Sequence, residues 1–181
     1  MKLQRTYELI AHRGHGSQPE NTMLAFRTGL DKGADRIEFD IQKSADGDYV
    51  VIHDSSVDRT TNGTGEVARL TTAELRQLDA GKGEKLPLFS EVIDWAQKND
   101  VALDIEVKHP QAGDEVELAQ MVRRAGLRDP WVMSFHADFE EKFESEAPEI
   151  NTAVLVRERA LFDKAVMGAQ VGAAIGLGTA L

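Results

Sequence analysis

The spacing of apolar positions changes period repeatedly along the chain. RIEFDIQ (36–42) alternates strictly, so Ile37, Phe39 and Ile41 share one face of an extended strand and Glu38 and Asp40 the other. After the turn SADGD, the run YVVIHD (49–54) has the continuous apolar character of a buried strand. YELIAH (7–12), VALDIEVK (101–108), WVMSFH (131–136) and TAVLV (152–156) read as further strands, with AAIGLG (173–178) as a seventh. Between them, helical spacing marks TMLAFRTGLDKG (22–33), TTAELRQLDAG (71–81), SEVIDWAQKND (90–100), DEVELAQMVRRAG (114–126), DFEEKFESEA (138–147) and RALFDKAVMGAQVG (159–172). Asn21 is placed to cap the first helix and Gly33 to end it, while Thr71 and Glu74 form a capping box. The polar, turn-rich stretch 55–89, with a tight turn expected at Asn62-Gly63, reads as an excursion from the sheet.

Strands interleaved with helices predict parallel βαβ units with right-handed crossovers, in an α/β barrel or an open doubly wound sheet. No linker divides the chain, so residues 1–181 are expected to form one domain. The formal net charge of -10 argues against general affinity for nucleic acid or an anionic membrane surface. It leaves an anionic substrate open, because a bound divalent cation reverses the local field. There is no cysteine, which excludes disulfides and thiolate chemistry. No stretch approaches the ~20 apolar residues of a membrane span, and no cleavable signal pattern opens the chain, so a cytoplasmic location is expected.

Polar residues gather where strands end. His12 and Arg13 close the first strand, Glu38 and Asp40 lie late in the second, His53 and Asp54 close the third, and Glu106 and Lys108 close the fourth. In parallel α/β folds this edge carries the site. Glu38, Asp40 and Glu106 offer only oxygen, which suits Mg²⁺ or Ca²⁺ rather than zinc. Two readings stay open at this point: a cation site, or ion pairs with Arg13 and Lys108. His12 and His53, beside this acidic group, are candidates for a general base and a general acid. His15, His109 and His136 read as loop or surface residues.

In their order, AHRGHGSQPENTMLAF, RIEFDIQ, YVVIHDSSVDRTTNGTGEVARLT, LPLFSEVIDW and LDIEVKH resemble the glycerophosphodiester phosphodiesterase family. The HRG, PENT, E-x-D, HD, DRTTNGTG and E-x-K elements, over residues 9–108, are far more specific together than any one alone. A looser match runs on through VMSFHADFEEKFESEAPEINTAVLV, with Ser134-Phe135 and Pro148 as the family has them. The resemblance implies a TIM-type (β/α)₈ barrel with a small insertion, about residues 55–89, after the third strand. It implies that Glu38, Asp40 and Glu106 hold a divalent cation, Mg²⁺ or Ca²⁺, and that His12 and His53 are the acid/base pair. Arg13 and Lys108 would bind phosphate, and Glu20 and Asn21 would hold the loop beneath the site. The implied reaction is metal-dependent hydrolysis of a small glycerophosphodiester to glycerol 3-phosphate and an alcohol such as choline or ethanolamine.

The resemblance fades after about Val156, and neither Trp95 nor Trp131 stands in the Trp-Thr-x-Asn-like context of the family's final strand. An eighth strand and its helix are therefore expected to be missing, so that the barrel is incomplete with two open edges. A second copy pairing with those edges would complete it as a homo-oligomer. The alternative functions are a weak or inactive fragment that keeps the metal and phosphate site, and a lysophospholipase D-like lipid phosphodiesterase.

Overall fold

The computed structural model describes residues 6–156 and 175–176. Within these, the elements in chain order are β1 (Ile10–His12), α1 (Met23–Asp31), β2 (Arg36–Lys43), β3 (Tyr49–Val51), a 3₁₀ turn (Val67–Arg69), α2 (Thr72–Leu75), α3 (Phe89–Asn99), β4 (Ala102–Val107), α4 (Asp114–Ala125), β5 (Trp131–Ser134), α5 (Ala137–Glu146), β6 (Asn151–Val156) and β7 (Ile175–Gly176). The helix expected at 159–172 lies outside the described residues. The strand order is β1-β2-β4-β5-β6-β7, with every neighbouring pair parallel. Strands alternating with helices along one parallel sheet make the wall of a barrel-type α/β fold, incomplete over the described residues.

The alternation of RIEFDIQ is resolved by two different surroundings. Ile37, Phe39 and Ile41, with Leu103, Ile105 and Val107 of β4, pack into the main core beneath the helices. That core takes Phe26 from α1, Phe89 and Val92 from α3, and Leu118 and Val122 from α4. Phe39 sits between Phe26 and Phe89, with ring centroids 5.6 and 6.1 Å away. The opposite face of β2 and β4, turned away from the helices, is buried and polar: Arg36, Glu38, Asp40 and Gln42 face Asp104 and Glu106. A half-exposed strand would set its polar face in water; here that face is enclosed, so each charge needs a partner.

YVVIHD is not a stave of the wall. β3 folds back antiparallel on β2 across the turn at Ser44–Asp48, with Val51 beside Ile41 and Tyr49 beside Lys43. Its run is apolar throughout because each face meets a different core. Tyr49 and Val51 join the main one, whereas Val50 and Ile52 join a second, formed by Val57, Val67, Leu75, Ala80 and Leu86 of the excursion. The stretch 55–89 is thus a packed subunit of the fold with an interior of its own.

Several local expectations are corrected. Thr22, not Asn21, caps α1: its side chain accepts from Ala25 N, while Asn21 adopts a left-handed φ of 55° that turns it aside. Glu84, 60 residues on, accepts from Leu24 N and supplies a second cap. The capping box of Thr71 and Glu74 is present, but α2 ends after Leu75: Gln77 N and Leu78 N bond the carbonyls three residues back, and the following loop pairs with Asn62. Asn62 therefore acts as a clip to Asp79 rather than only as a turn former. In YELIAH only Ile10–His12 is strand, and Tyr7, Leu9 and Ile10 are exposed.

At the floor of the polar face, Arg36 Nη2 lies 2.6 Å from Asp104 Oδ1, and Nη1 and Nη2 reach the carboxylate and carbonyl of Asp129. Arg36 and Asp104 are both buried, so removing one charge strands the other. Asp104→Ala is expected to lower unfolding free energy by about 3–5 kcal/mol in denaturant titration. A second buried group lacks compensation: neither carboxyl oxygen of Glu140 on α5 has a hydrogen-bond partner among the described residues, and burial, with Glu144 nearby, pushes its pKa up to about 9. A carboxyl whose folded pKa is raised stabilises fully below its unfolded value of ~4.3 and loses that contribution as pH climbs toward 9. Glu140→Gln should match the wild type in stability near pH 4 and exceed it increasingly above, by at most ~1.4 kcal/mol per pH unit, in thermal unfolding across that range.

Candidate active site

The end of β1 is set by steric fit. After His12 the chain turns through Arg13 (φ 54°) and Gly14 (φ 83°). A Cβ on Gly14 would lie 2.5 Å from that of Ala25, so glycine alone lets this loop close on α1. The turn aims three groups of Arg13 at acids and a loop. Its backbone N–H donates to Glu38 Oε2 (2.9 Å), its Nη1 donates to Glu20 Oε1 (3.1 Å), and its Nε stands 3.4 Å from Asp40 Oδ2. Its carbonyl accepts from Asn21 N, and Asn21 Nδ2 in turn donates to Asp40 Oδ2 at 2.9 Å.

Sheet register brings the acids together. Glu38 is beside His12 on β1, and Asp40 is directly beside Glu106 on β4. One oxygen from each of Glu38, Asp40 and Glu106 lies within 4.8 Å of the others, and all three residues are buried. Lys108 Nζ donates to Glu106 Oε1 (2.6 Å), stands 3.5 Å from Asp40 Oδ1 and lies 5.7 Å from the centroid of the Phe135 ring. Both sequence readings are thus visible in part: the acids cluster, and two cations touch them. Two positive charges do not settle three negative ones. Burial, then the charge of Asp40, drives Glu38 well above the ordinary carboxyl pKa, against the pull of Arg13. Burial and Asp40 likewise raise Glu106 in spite of Lys108. Asp40 Oδ1, fully buried, has no hydrogen-bond partner. A hard oxygen-only donor set, still short of positive charge and with one buried oxygen that accepts no hydrogen bond, fits a divalent cation.

The imidazoles flank this group. His12 Nε2 lies 3.8 Å from Glu38 Oε2, with 58% of its side chain open. Desolvation on its inner side, then the charge of Arg13, holds its pKa below the ordinary value, with His53 adding to the effect. His53 Nδ1 is 2.7 Å from Asp54 Oδ1. The antiparallel hairpin is what returns His53 to the level of the acids, since Ile52 N donates to the Asp40 carbonyl. Gln42 secures that return: its Nε2 lies 3.0, 2.9 and 2.7 Å from the carbonyls of Ile52, His53 and Asp54. Gln42 went unmarked in the sequence although it shares the parity of Glu38 and Asp40, which was the available signal. Arg59 lies in the DRTTNGTG element but was given no role there, since nothing local ties it to the strand ends. It comes from the excursion and grips both Glu20 and Asp54. His109 and His136 are exposed, and His15 pairs with Ser17 in its own turn.

The arrangement can hold a divalent cation, meet an anion with Arg13 and Lys108, and exchange protons through two imidazoles. Residues 12–175 match the model of the glycerophosphoryl diester phosphodiesterase family. A curated glycerophosphodiester phosphodiesterase from Caldanaerobacter subterraneus is 45% identical over 108 residues, covering 55% of this chain and 44% of the relative. A crystal structure of glycerophosphodiester phosphodiesterase from Agrobacterium tumefaciens superposes with a TM-score of 0.76 at 35% identity, covering 83% of this chain and 67% of that one. An Oleispira antarctica phosphodiesterase, solved in complex with the product sn-glycerol-3-phosphate, gives a TM-score of 0.77 at 28% identity over 89% of this chain and 71% of that one. The chain spans about two thirds or less of the length of the curated relatives it matches. A match that runs through nearly all of the described barrel wall, and through every strand that brings a side chain to the acidic cluster, shows that the chain belongs to the glycerophosphoryl diester phosphodiesterase family.

Proposed function

We propose that the protein hydrolyses glycerophosphodiesters to glycerol 3-phosphate and an alcohol, with a divalent cation held by Glu38, Asp40 and Glu106. The observation that carries this reading is the undercompensated cluster of three buried carboxylates with two imidazoles beside it. Family membership and the product bound in the Oleispira antarctica relative agree with it. When bound, the cation supplies positive charge that draws electrons from the phosphoryl oxygens.

The chain's own residues divide the remaining work. Arg13 and Lys108 offer positive charge to the phosphodiester, which otherwise repels a nucleophile. His12, biased toward its neutral form and open to solvent, is suited to take the proton of the attacking glycerol hydroxyl. His53, whose Nδ1 rests on the Asp54 carboxylate, is suited to carry a proton and give it from Nε2 to the leaving alcohol. Attack by the neighbouring hydroxyl forms a cyclic phosphate. Water then opens it with the two imidazoles in exchanged roles, as reversibility requires.

Two measurements test the assignment. His12→Ala and His53→Ala should each lower turnover of glycerophosphocholine by about 10²–10⁴-fold, while Mg²⁺ or Ca²⁺ still shifts the melting temperature. Full activity in both variants would overturn the acid/base roles. Glu38→Gln should weaken the cation's thermal shift at least tenfold in half-saturating concentration, and chelator should abolish wild-type turnover; an unchanged affinity would remove Glu38 from the ligand set.

A further inference from the structure

The excursion that packs around β3 also reaches back over the loop after β1: Lys82 donates to the Ser17 carbonyl and to Gln18 Oε1, and Arg59 reaches the carboxylates beside the proposed machinery. Arg59 Nε and Nη2 donate to Asp54 Oδ2 and Oδ1 at 2.6 and 3.0 Å. Its Nη1 and Nη2 donate to Glu20 Oε2 and Oε1, both at 2.8 Å. One guanidinium therefore grips two carboxylates, each in the two-pronged manner peculiar to arginine. Each carboxylate has a further contact, and each of those contacts is a residue of the proposed machinery. Glu20 Oε1 accepts from Arg13, and Asp54 Oδ1 meets His53 Nδ1. The line Arg13, Glu20, Arg59, Asp54, His53 is unbroken.

A surface ion pair of this kind adds little to stability, and 49% of the Arg59 side chain is exposed, so a purely structural role has small energetic return here. The geometry has a better use. A carboxylate on Nδ1 orients an imidazole and fixes its tautomer only if the carboxylate is itself fixed and ionised. Arg59 does both to Asp54: its hydrogen bonds are the main reason that carboxyl is held well below the ordinary range. It does the same to Glu20, which steadies the side chain of Arg13.

We infer that Arg59 is a positioning residue for the reaction, aligning His53 through Asp54 and Arg13 through Glu20 so that proton donor and phosphate ligand are set by one side chain of the excursion. This rests on the proposed phosphodiesterase reading. The guanidinium thereby ties the excursion to the groups proposed for the chemistry.

The test uses the full chain with Mg²⁺. Arg59→Ala and Arg59→Lys are compared with wild type for kcat and KM on glycerophosphocholine, for melting temperature, and for the His53 tautomer by ¹⁵N NMR. Lysine keeps the charge but cannot make the four contacts. Both variants are expected to melt within a few degrees of wild type and to lose roughly 10–100-fold in kcat, in keeping with a small displacement of catalytic groups. His53 should move from the Nδ1–H form toward a mixture. Arg59→Ala should cost less in an Asp54→Asn background than in wild type, because the two share the His53 contact and only the path through Glu20 is left to lose. Wild-type kcat and an unchanged tautomer in Arg59→Ala, or full activity in Arg59→Lys, would overturn the inference. An inactive wild type would instead sink the phosphodiesterase reading, and the tautomer measurement would then decide the role of Arg59 alone.

Discussion

Everything in this fold near the mouth of the sheet answers to one electrostatic fact. Parallel register sets Asp40 against Glu106 on neighbouring strands, and Glu38 shares their enclosed face. Like charges at this separation in a poorly polarisable setting repel strongly, and burial removes the water that would screen them. The surrounding residues read as successive partial remedies. Arg13 contributes a backbone N–H and a guanidinium, Asn21 an amide and Lys108 an ammonium. None closes the deficit, as the raised pKa of Glu38 and the Asp40 oxygen without a hydrogen bond show. A site that keeps such repulsion in its resting state gains from any cation that enters it.

The same strands serve two masters because alternation allows it. One face of β2 and β4 contributes to an apolar core stacked against α1, α3 and α4, which fixes the backbone firmly. The other face, carried on that rigid frame, is free to be chemically awkward. The floor of the polar face is neutralised by Arg36 with Asp104 and Asp129, so the awkwardness is confined to the upper level where strands end. Toward β5 and β6 the enclosed side becomes apolar, with Met133, Ala153 and Leu155.

What could be read from the sequence, and what could not, follows from range. The strict alternation of RIEFDIQ, the helical periods from 90 to 147 and the capping box at Thr71 are local, and the strands and helices appear close to where the pattern set them. Glu38, Asp40 and Glu106 could be grouped because strand ends in a parallel sheet share an edge, and their oxygens do converge. The direction of β3 was not legible: a short apolar run bounded by turns fits either a parallel stave or the return arm of a hairpin, and only the partner decides. Asn21 looked like a helix cap because composition favours it there, yet its amide was claimed by Asp40, 19 residues away. Arg59 and Glu84 act across 39 and 60 residues, beyond any periodicity.

The hairpin has a consequence for how the chain can change length. β3 feeds one interior with Tyr49 and Val51 and another with Val50 and Ile52. Adding or deleting a single residue in the Ser44–Asp48 bend, with pairing kept, would exchange the two sets and rotate the segment leading to His53 by half a turn of the pleat. Such changes are tolerable only in twos, or must be absorbed farther along, beyond Asp54. Drift in the size of this bend is therefore quantised by parity, and the imidazole's aim is inherited along with it.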